Sequence, residues 1–497
     1  MMARFKPHFL LAPLAALLVA AAPAGNSAPP ARADRLAQAA ALVDNGKSAE
    51  ALAILDALLA EADLPADKGQ VEALRSFALA RQGKFAEART AIEFAVDATM
   101  NPSILLLRQL FVLRALGGDV PAAAQTLQLV AVSNPKWLAE LPSELVSDVL
   151  RALSGDRERR FDLAFTLVTA GFAPADQTVG DGDELKREVI AGLVARGRLE
   201  EARPVVAALV NPVSLVRIGV DKRTQALWPE MEKRLGPGAD VADAAFIAAA
   251  EQRLAAQPQS IIARTGVAEA LNIASREADA LARIRDIGEG EALARLSTRE
   301  QWAINLKARL LADGGEIDKA LAALDSVAAL PADKAPNALA FRIIAADLAE
   351  EAGRHAEALK RVDAVQTGEL NDWGRQALAA IRVCALARSG QAAEAAKAAA
   401  PLPAGWTKEG NNRAIQAANS CLKRADAAAA VLIKRLDDED SRDEALFDLQ
   451  PFLIADRPNA PDRATKADLR ALKARPDVKA AFLKYGRDLP AAVSPPR

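Results

Sequence analysis

Gly46-Lys-Ser-Ala-Glu50-Ala51 decides the fold of this chain of 497 residues, because the pattern comes back. Gly-x-x-x-Glu-Ala stands again at Gly83-Lys-Phe-Ala-Glu87-Ala88, Gly197-Arg-Leu-Glu-Glu201-Ala202, Gly353-Arg-His-Ala-Glu357-Ala358 and Gly390-Gln-Ala-Ala-Glu394-Ala395. Weaker copies lie at Gly118-Asp-Val-Pro-Ala122-Ala123 and Gly315-Glu-Ile-Asp-Lys319-Ala320. Glycines 46, 83 and 118 are 37 and 35 residues apart, and glycines 315, 353 and 390 are 38 and 37 apart. The gaps of 79 residues (118 to 197) and 118 residues (197 to 315) are near two and three such units. Degenerate copies, Ala239-Asp-Val-Ala-Asp243-Ala244 and Ser275-Arg-Glu-Ala-Asp279-Ala280, fall inside the second gap. Self-similarity at this period marks an array of small structural units.

Each unit reads as two helices around a turn. Before the glycine, apolar residues recur at helical spacing, as in Ala39, Leu42 and Val43 or Leu306, Leu310 and Leu311. Glycine then takes φ > 0 at the helix end with no Cβ penalty. A second helix comes next with its own stripe, Ala51, Leu52, Leu55, Leu58 and Leu59 in the first unit, and the acid near its start suits the positive end of its dipole. Pro102, Pro135 and Pro331 close units because proline cannot continue a helix. Ser297-Thr-Arg-Glu300 and Ser441-Arg-Asp-Glu444 read as capping boxes. Pro204 falls inside a second helix and should kink or shorten it. Composition agrees: 51% of residues are apolar but only 4% aromatic, and Tyr occurs once, which favours close-packed helices over sheets. Collagen-like, disordered and disulfide-dense classes are excluded.

These units resemble the tetratricopeptide repeat family, in divergent form. The resemblance rests on the small residue at Ala51, Ala88, Ala123, Ala202, Ala320, Ala358 and Ala395 and the apolar residue four later at Leu55, Ile92, Leu127, Val206, Leu324 and Val362. The glycine usual in the middle of the first helix is replaced by Ala39, Ser76, Phe111, Ala308 and Ala346. The fold expected is all-α: a right-handed α-solenoid of about ten to eleven helix-turn-helix repeats over residues 34–450, clearest in 34–135 and 300–400 and degenerate in 136–299. After a Pro/Asp-rich boundary at 451–462, one C-terminal helix is expected over 463–486 and an unstructured tail over 487–497.

Arg4 and Lys6, an apolar stretch from Phe9 to Ala22 and small residues at Ala22 and Ala24 read as a secretory signal peptide, residues 1–24. An uncleaved anchor is the lesser alternative. Cleavage leaves 61 basic and 65 acidic side chains, a formal charge of −4, which argues against a nucleic-acid partner. The densest basic cluster, Arg157-Glu158-Arg159-Arg160, is short and reads as helix surface. An exported location permits a disulfide between Cys384 and Cys421, whose separation of 37 residues equals the repeat period. Two free buried thiols acting as small apolar residues are the slightly favoured alternative.

Little catalytic chemistry can be assembled. After cleavage one histidine remains, His355, in a turn. Zinc sites, nucleophile–histidine pairs and phosphate-binding loops therefore lack their parts, and no catalytic, cofactor or metal residue is assigned. Gly180-Asp181-Gly-Asp183-Glu184 and Asp437-Asp-Glu-Asp440 fall short of a calcium loop and read as solvated. Lytic transglycosylases of peptidoglycan resemble the chain in helix content alone, and the Glu-Ser pair at the centre of their catalytic domain does not occur here. Resemblance to tetratricopeptide proteins implies a non-catalytic binding or scaffold protein of the bacterial periplasm, holding a protein or peptide partner for envelope assembly or secretion, with no cofactor. A structural accessory subunit of a polysaccharide or outer-membrane machine is the alternative, and a helical peptidoglycan hydrolase a distant third. Trp302 and Trp373, near the starts of first helices, read as core packing ahead of binding anchors.

Overall fold

The computed structural model describes residues 30–366, 368, 370–457 and 460–495, so the expected signal peptide at 1–24 lies outside the described residues. The chain divides into two compact units, the first ending at Gln177 and the second beginning at Thr178. The first holds α1 (Pro30–Asp44), α2 (Ser48–Ala60), α3 (Pro65–Arg81), α4 (Phe85–Asp97), α5 (Ile104–Leu116), α6 (Val120–Ser133), α7 (Ser143–Ala152) and α8 (Arg157–Thr169). The second opens with α9 (Asp183–Ala195), α10 (Leu199–Ala207), α11 (Pro212–Val220), α12 (Trp228–Leu235), α13 (Asp240–Ala256), α14 (Ile261–Ile273) and α15 (Glu277–Ile284). It continues with α16 (Trp302–Asp313), α17 (Ile317–Ala328), α18 (Ala338–Glu351), α19 (His355–Asp363), α20 (Asp372–Arg388), α21 (Ala392–Ala398), α22 (Asn412–Cys421), α23 (Ala425–Asp437), α24 (Arg442–Asp448), α25 (Arg463–Ala474) and α26 (Pro476–Tyr485). The described residues contain no β-strand, only an isolated antiparallel bridge between Asp221 and Gly486. The fold is an all-α array of stacked helix pairs.

One turn builds most pairs. Gly83 takes φ +76°, its amide donates to the Ala80 carbonyl at 3.0 Å and the Lys84 amide to Leu79 at 3.0 Å, which satisfies carbonyls that the end of α3 would leave open. The same crossed bond closes the turns at Gly46, Gly118, Gly197, Gly315, Gly353 and Gly390. It also closes those at Ser275 (φ +57°) and Lys423 (φ +57°), where a residue with a Cβ accepts the left-handed conformation. Nothing lies within 4 Å of where a Cβ on Gly83 would stand, so the cost of adding one there is purely conformational. Gly83→Ala should therefore destabilise the first unit by about 1–2 kcal/mol and Lys423→Gly should be neutral to stabilising, as read by chemical denaturation.

Most of the stripes expected from spacing form the core: Ala51, Leu55, Ala88, Ile92, Ala123, Leu127, Ala320, Leu324 and Ala358 are all fully buried, while Leu42, Leu52, Leu59 and Leu306 are only half-buried. Alanine at the small position lets paired helices approach, and the branched residue one turn later fills the seam, each such burial contributing about 1.5–3 kcal/mol before chain entropy. The capping box at Ser297 forms, the Ser297 amide donating to Glu300 at 2.8 Å and the Glu300 amide to Ser297 Oγ at 3.3 Å. That at Ser441 does not: Ser441 is held by Asp438, while Glu444 turns to Arg413 and Arg435. Pro204 sits inside α10, which ends at Ala207. In the blurred region, Ala239 has φ +68° as expected of a turn copy, but the chain reaches it through 3-10 segments at Lys222–Leu227 and Pro237–Ala239 instead of a single first helix.

The C-terminus departs most from expectation. The helix expected over 463–486 is broken at Arg475, whose ψ of 138° is the extended conformation imposed on a residue before proline, here Pro476. The tail expected to be unstructured from 487 is built into the second unit. Its course begins along α25, where Asp468 lies 3.6 Å from Arg388 at the end of α20 and 3.6 Å from Lys423 in the next turn. Along α26, Phe482 is buried and the Tyr485 hydroxyl donates to Asp437 at 2.7 Å. The chain then reaches α11 and α12. Arg487 donates its amide to the Val220 carbonyl at 3.0 Å and its guanidinium to the Gly219 carbonyl at 2.8 Å and to Glu232 at 2.7 Å, and the guanidinium lies 3.8 Å from the centre of the Trp228 ring. Gly486 allows this approach, because a Cβ there would stand 2.9 Å from the Val220 oxygen. Leu489 is buried, its amide donating to the buried Gln450 at 2.9 Å, and the Gly238 amide donates to Ala492 at 2.9 Å. Asp443 on α24 meets Arg187 of α9 and Arg217 of α11. The second unit thus closes on itself, its last helices and tail bound to its first ones.

Candidate functional site

Cys384 on α20 and Cys421 on α22 are bridged, with Cα atoms 5.1 Å apart, so the disulfide ties neighbouring first helices and the two free thiols favoured from sequence are not what the structure holds. Trp302 packs on the buried Phe341 with ring centres 5.2 Å apart, a core role. Trp373 is 58% exposed. His355 opens α19 half-buried, 3.9 Å from Glu350; burial and then the Arg388 charge hold its pKa below the usual value. Neither of those neighbours completes a nucleophile–histidine pair. Arg157, Glu158 and Arg159 lie exposed at the start of α8, as a solvated face would. In the Gly180–Glu184 segment Glu184 is exposed as expected, but Asp183 is fully buried and accepts the Val210 and Asn211 amides at 2.8 and 2.7 Å.

Two charged regions of the second unit stand out. The first joins α16, α18 and α20, where Arg309 meets Glu351 at 2.7 Å and Arg388 grips the buried Glu350 at 2.8 Å. Desolvation, and then the neighbouring Asp347, push Glu351 up to about 7; desolvation also raises Asp347, Glu350 and Asp313. Asp347 keeps 43% side-chain exposure, so it lies in a cleft that water reaches and not in the dry interior. A cavity of about 610 Å³ adjoins this region, between the turns at Gly315 and Gly353 and the residues Arg463, Ala467 and Arg470 of α25.

The second is a cavity of about 240 Å³ lined by Thr178, Asp181, Asn211, Glu269, Asn272 and Ile273, together with Gly180. α14 supplies Glu269 and Asn272. The Asp181 loop is held in place by the Thr178 amide, which donates to Asp181 at 2.8 Å, and by Arg299 from the segment before α16. Desolvation first, and then the Asp181 charge, raise Glu269 to about 7; the Thr178 hydroxyl and Arg299 temper the rise. The hydroxyl lies near the carboxyl but outside hydrogen-bond geometry, so Thr178 Oγ1 is buried without a partner. Because folding raises this pKa above the unfolded value near 4.5, the native state binds the proton more tightly, and stability is lost as pH climbs from about 4.5 to 7. Glu269→Gln should remove that loss, stabilising the second unit at pH 8 by roughly 3 kcal/mol and not at pH 4, as read by denaturant midpoints at both. Asp181 is visible in the sequence together with its loop; Glu269, Thr178 and Asn272 carry no local signal.

In the first unit, large apolar side chains stand exposed at or just beyond the ends of successive second helices. They are Leu64 (62%) after α2, Phe94 (42%) and Met100 (97%) at and after the end of α4, and Leu129 (49%) and Val132 (75%) in the last turns of α6.

No protein-family model matches the chain, and no curated protein matches it. Among solved structures it is similar to the Naa15/Naa10 complex bound to HypK-THB, at 14% identity over 90% of this chain and 74% of that one, with a TM-score of 0.24. It is also similar to the pentatricopeptide repeat protein PPR10 in complex with an 18-nucleotide psaJ RNA element, at 13% identity over 95% and 69%, with a TM-score of 0.25. At such scores the assignment to helical-repeat proteins rests on this chain's own hairpins. Among the described residues no helix is long and apolar enough to cross a membrane.

Proposed function

We propose that this protein is a non-catalytic binding or scaffold protein of the bacterial envelope, exported to the periplasm, which docks a protein partner along the edge formed by the second-helix ends of its first unit. The observation that carries the reading is the recurrence of exposed Leu64, Phe94, Met100, Leu129 and Val132 at that place in consecutive hairpins, a repeated position that a partner lying along the array would cover. The disulfide supports an oxidising compartment, in keeping with the signal-like sequence at 1–24. The acidic balance favours protein over RNA, because a nucleic-acid face needs concentrated Lys and Arg.

A photo-crosslinking residue at Met100 or Val132 in living cells tests this. One stoichiometric envelope protein should be captured from the periplasmic or membrane fraction, and Leu129→Glu with Val132→Glu should abolish capture while leaving the circular dichroism unchanged. Capture of RNA, a cytosolic partner, or capture indifferent to the two acids would overturn the reading.

A further inference from the structure

The cavity around Glu269 lies in the second unit, and its chemistry is independent of the docking edge on the first. Its walls are laid out for a ligand. Thr178 is 6% exposed, its hydroxyl oxygen has no hydrogen-bond partner, and it lines the space. With only the Glu269 carboxyl beside it, this hydroxyl can still bond to a polar molecule in the space. At about 240 Å³ the space exceeds what one water needs, roughly 30 Å³.

The charge balance says which molecule. Two carboxyls, Asp181 and Glu269, face the cavity, and Arg299 is the cation beside them. Arg299 is bound to Asp181, which also accepts the Thr178 amide. Asp183, on the first turn of α9, is turned away to Lys186 and to the Val210 and Asn211 amides. Glu269 thus has no ion pair of its own, because Arg299, whose charge reaches it, is bound to Asp181. Two carboxyls, one already engaged, fall short of the six to eight oxygens that calcium requires, and no cluster of three metal-binding side chains occurs among the described residues. An organic cation fits better: it would pair with Glu269, donate to Thr178 Oγ1 and the Asn272 amide oxygen, and lay its alkyl part on Ile273. We propose that this cavity binds an ammonium or guanidinium group, carried either by a small amine or by a lysine or arginine side chain of another protein.

Calorimetric titration of the full chain with agmatine, and separately with acetylated, amidated peptides containing Lys or Arg, tests the proposal. Agmatine should bind about tenfold more tightly at pH 8 than at pH 6, because the cation needs the Glu269 carboxylate and that group titrates near 7. Glu269→Gln should lose at least tenfold in affinity at pH 8 and lose the pH dependence, and Thr178→Val should lose several-fold; both variants are checked for fold by circular dichroism. Peptides binding more tightly than agmatine would assign the cation to a protein, and the reverse order to a small amine. Equal binding by wild type and Glu269→Gln, or preference for a neutral polyol or calcium over agmatine, would overturn the proposal.

Discussion

Arg487→Ala is expected to destabilise the second unit by about 3 kcal/mol, and removal of residues 487–497 by more. The side chain is 22% exposed and makes charge-assisted bonds to the Gly219 carbonyl and Glu232, and it lies on the Trp228 ring. Breaking a fully buried charge pair costs about 3–5 kcal/mol, and partial exposure here moves the figure toward the lower end. Truncation also exposes Leu489 and leaves the buried Gln450 without the backbone groups of Arg487 and Leu489. Hydrogen exchange localises the effect: amides of α11, α12 and α24 should lose protection while those of α1–α6 keep theirs. Unchanged protection in α11 would mean that the contact holds nothing.

Cys384→Ala with Cys421→Ala should cost a similar amount, about 3–4 kcal/mol, since the bridge closes a loop of 37 residues and so restricts the unfolded chain. Both positions are buried and small, so alanine adds little strain of its own. Wild type should shift to a lower denaturant midpoint on reduction, and the double variant should not respond to reductant. A reductant-insensitive wild type would sink the expectation.

How much of this fold is legible in the sequence depends on how far apart the interacting residues lie. The turns are legible because glycine at φ > 0 and the small residue five positions later act within one hairpin, and even the degenerate Ser275 copy makes the expected turn. The turn at Lys423 is hidden because lysine stands where glycine would, although its crossed bond is the same. The tail defeats local reading for the opposite reason. Leu489-Pro-Ala-Ala has the composition of a loose end, and its order comes from Gly219, Trp228 and Gly238, more than 250 residues away. Glu269 is one of 65 acidic residues, and only the fold brings it to Thr178 and Asp181.

Closure also constrains how the second unit can vary. An open array gains or loses a hairpin at the cost of one new neighbour pairing. In the second unit a whole hairpin added between α9 and α24 would rotate Asp443 away from Arg187 and Arg217 and carry Gly486 away from Val220. Its count of hairpins is fixed as the links of a fastened bracelet are. Length should instead be tolerated where no link moves, as at Ala404–Gly405 in the connection between α21 and α22, ahead of the Thr407–Asn412 bonds and the buried Asn411 that caps α22.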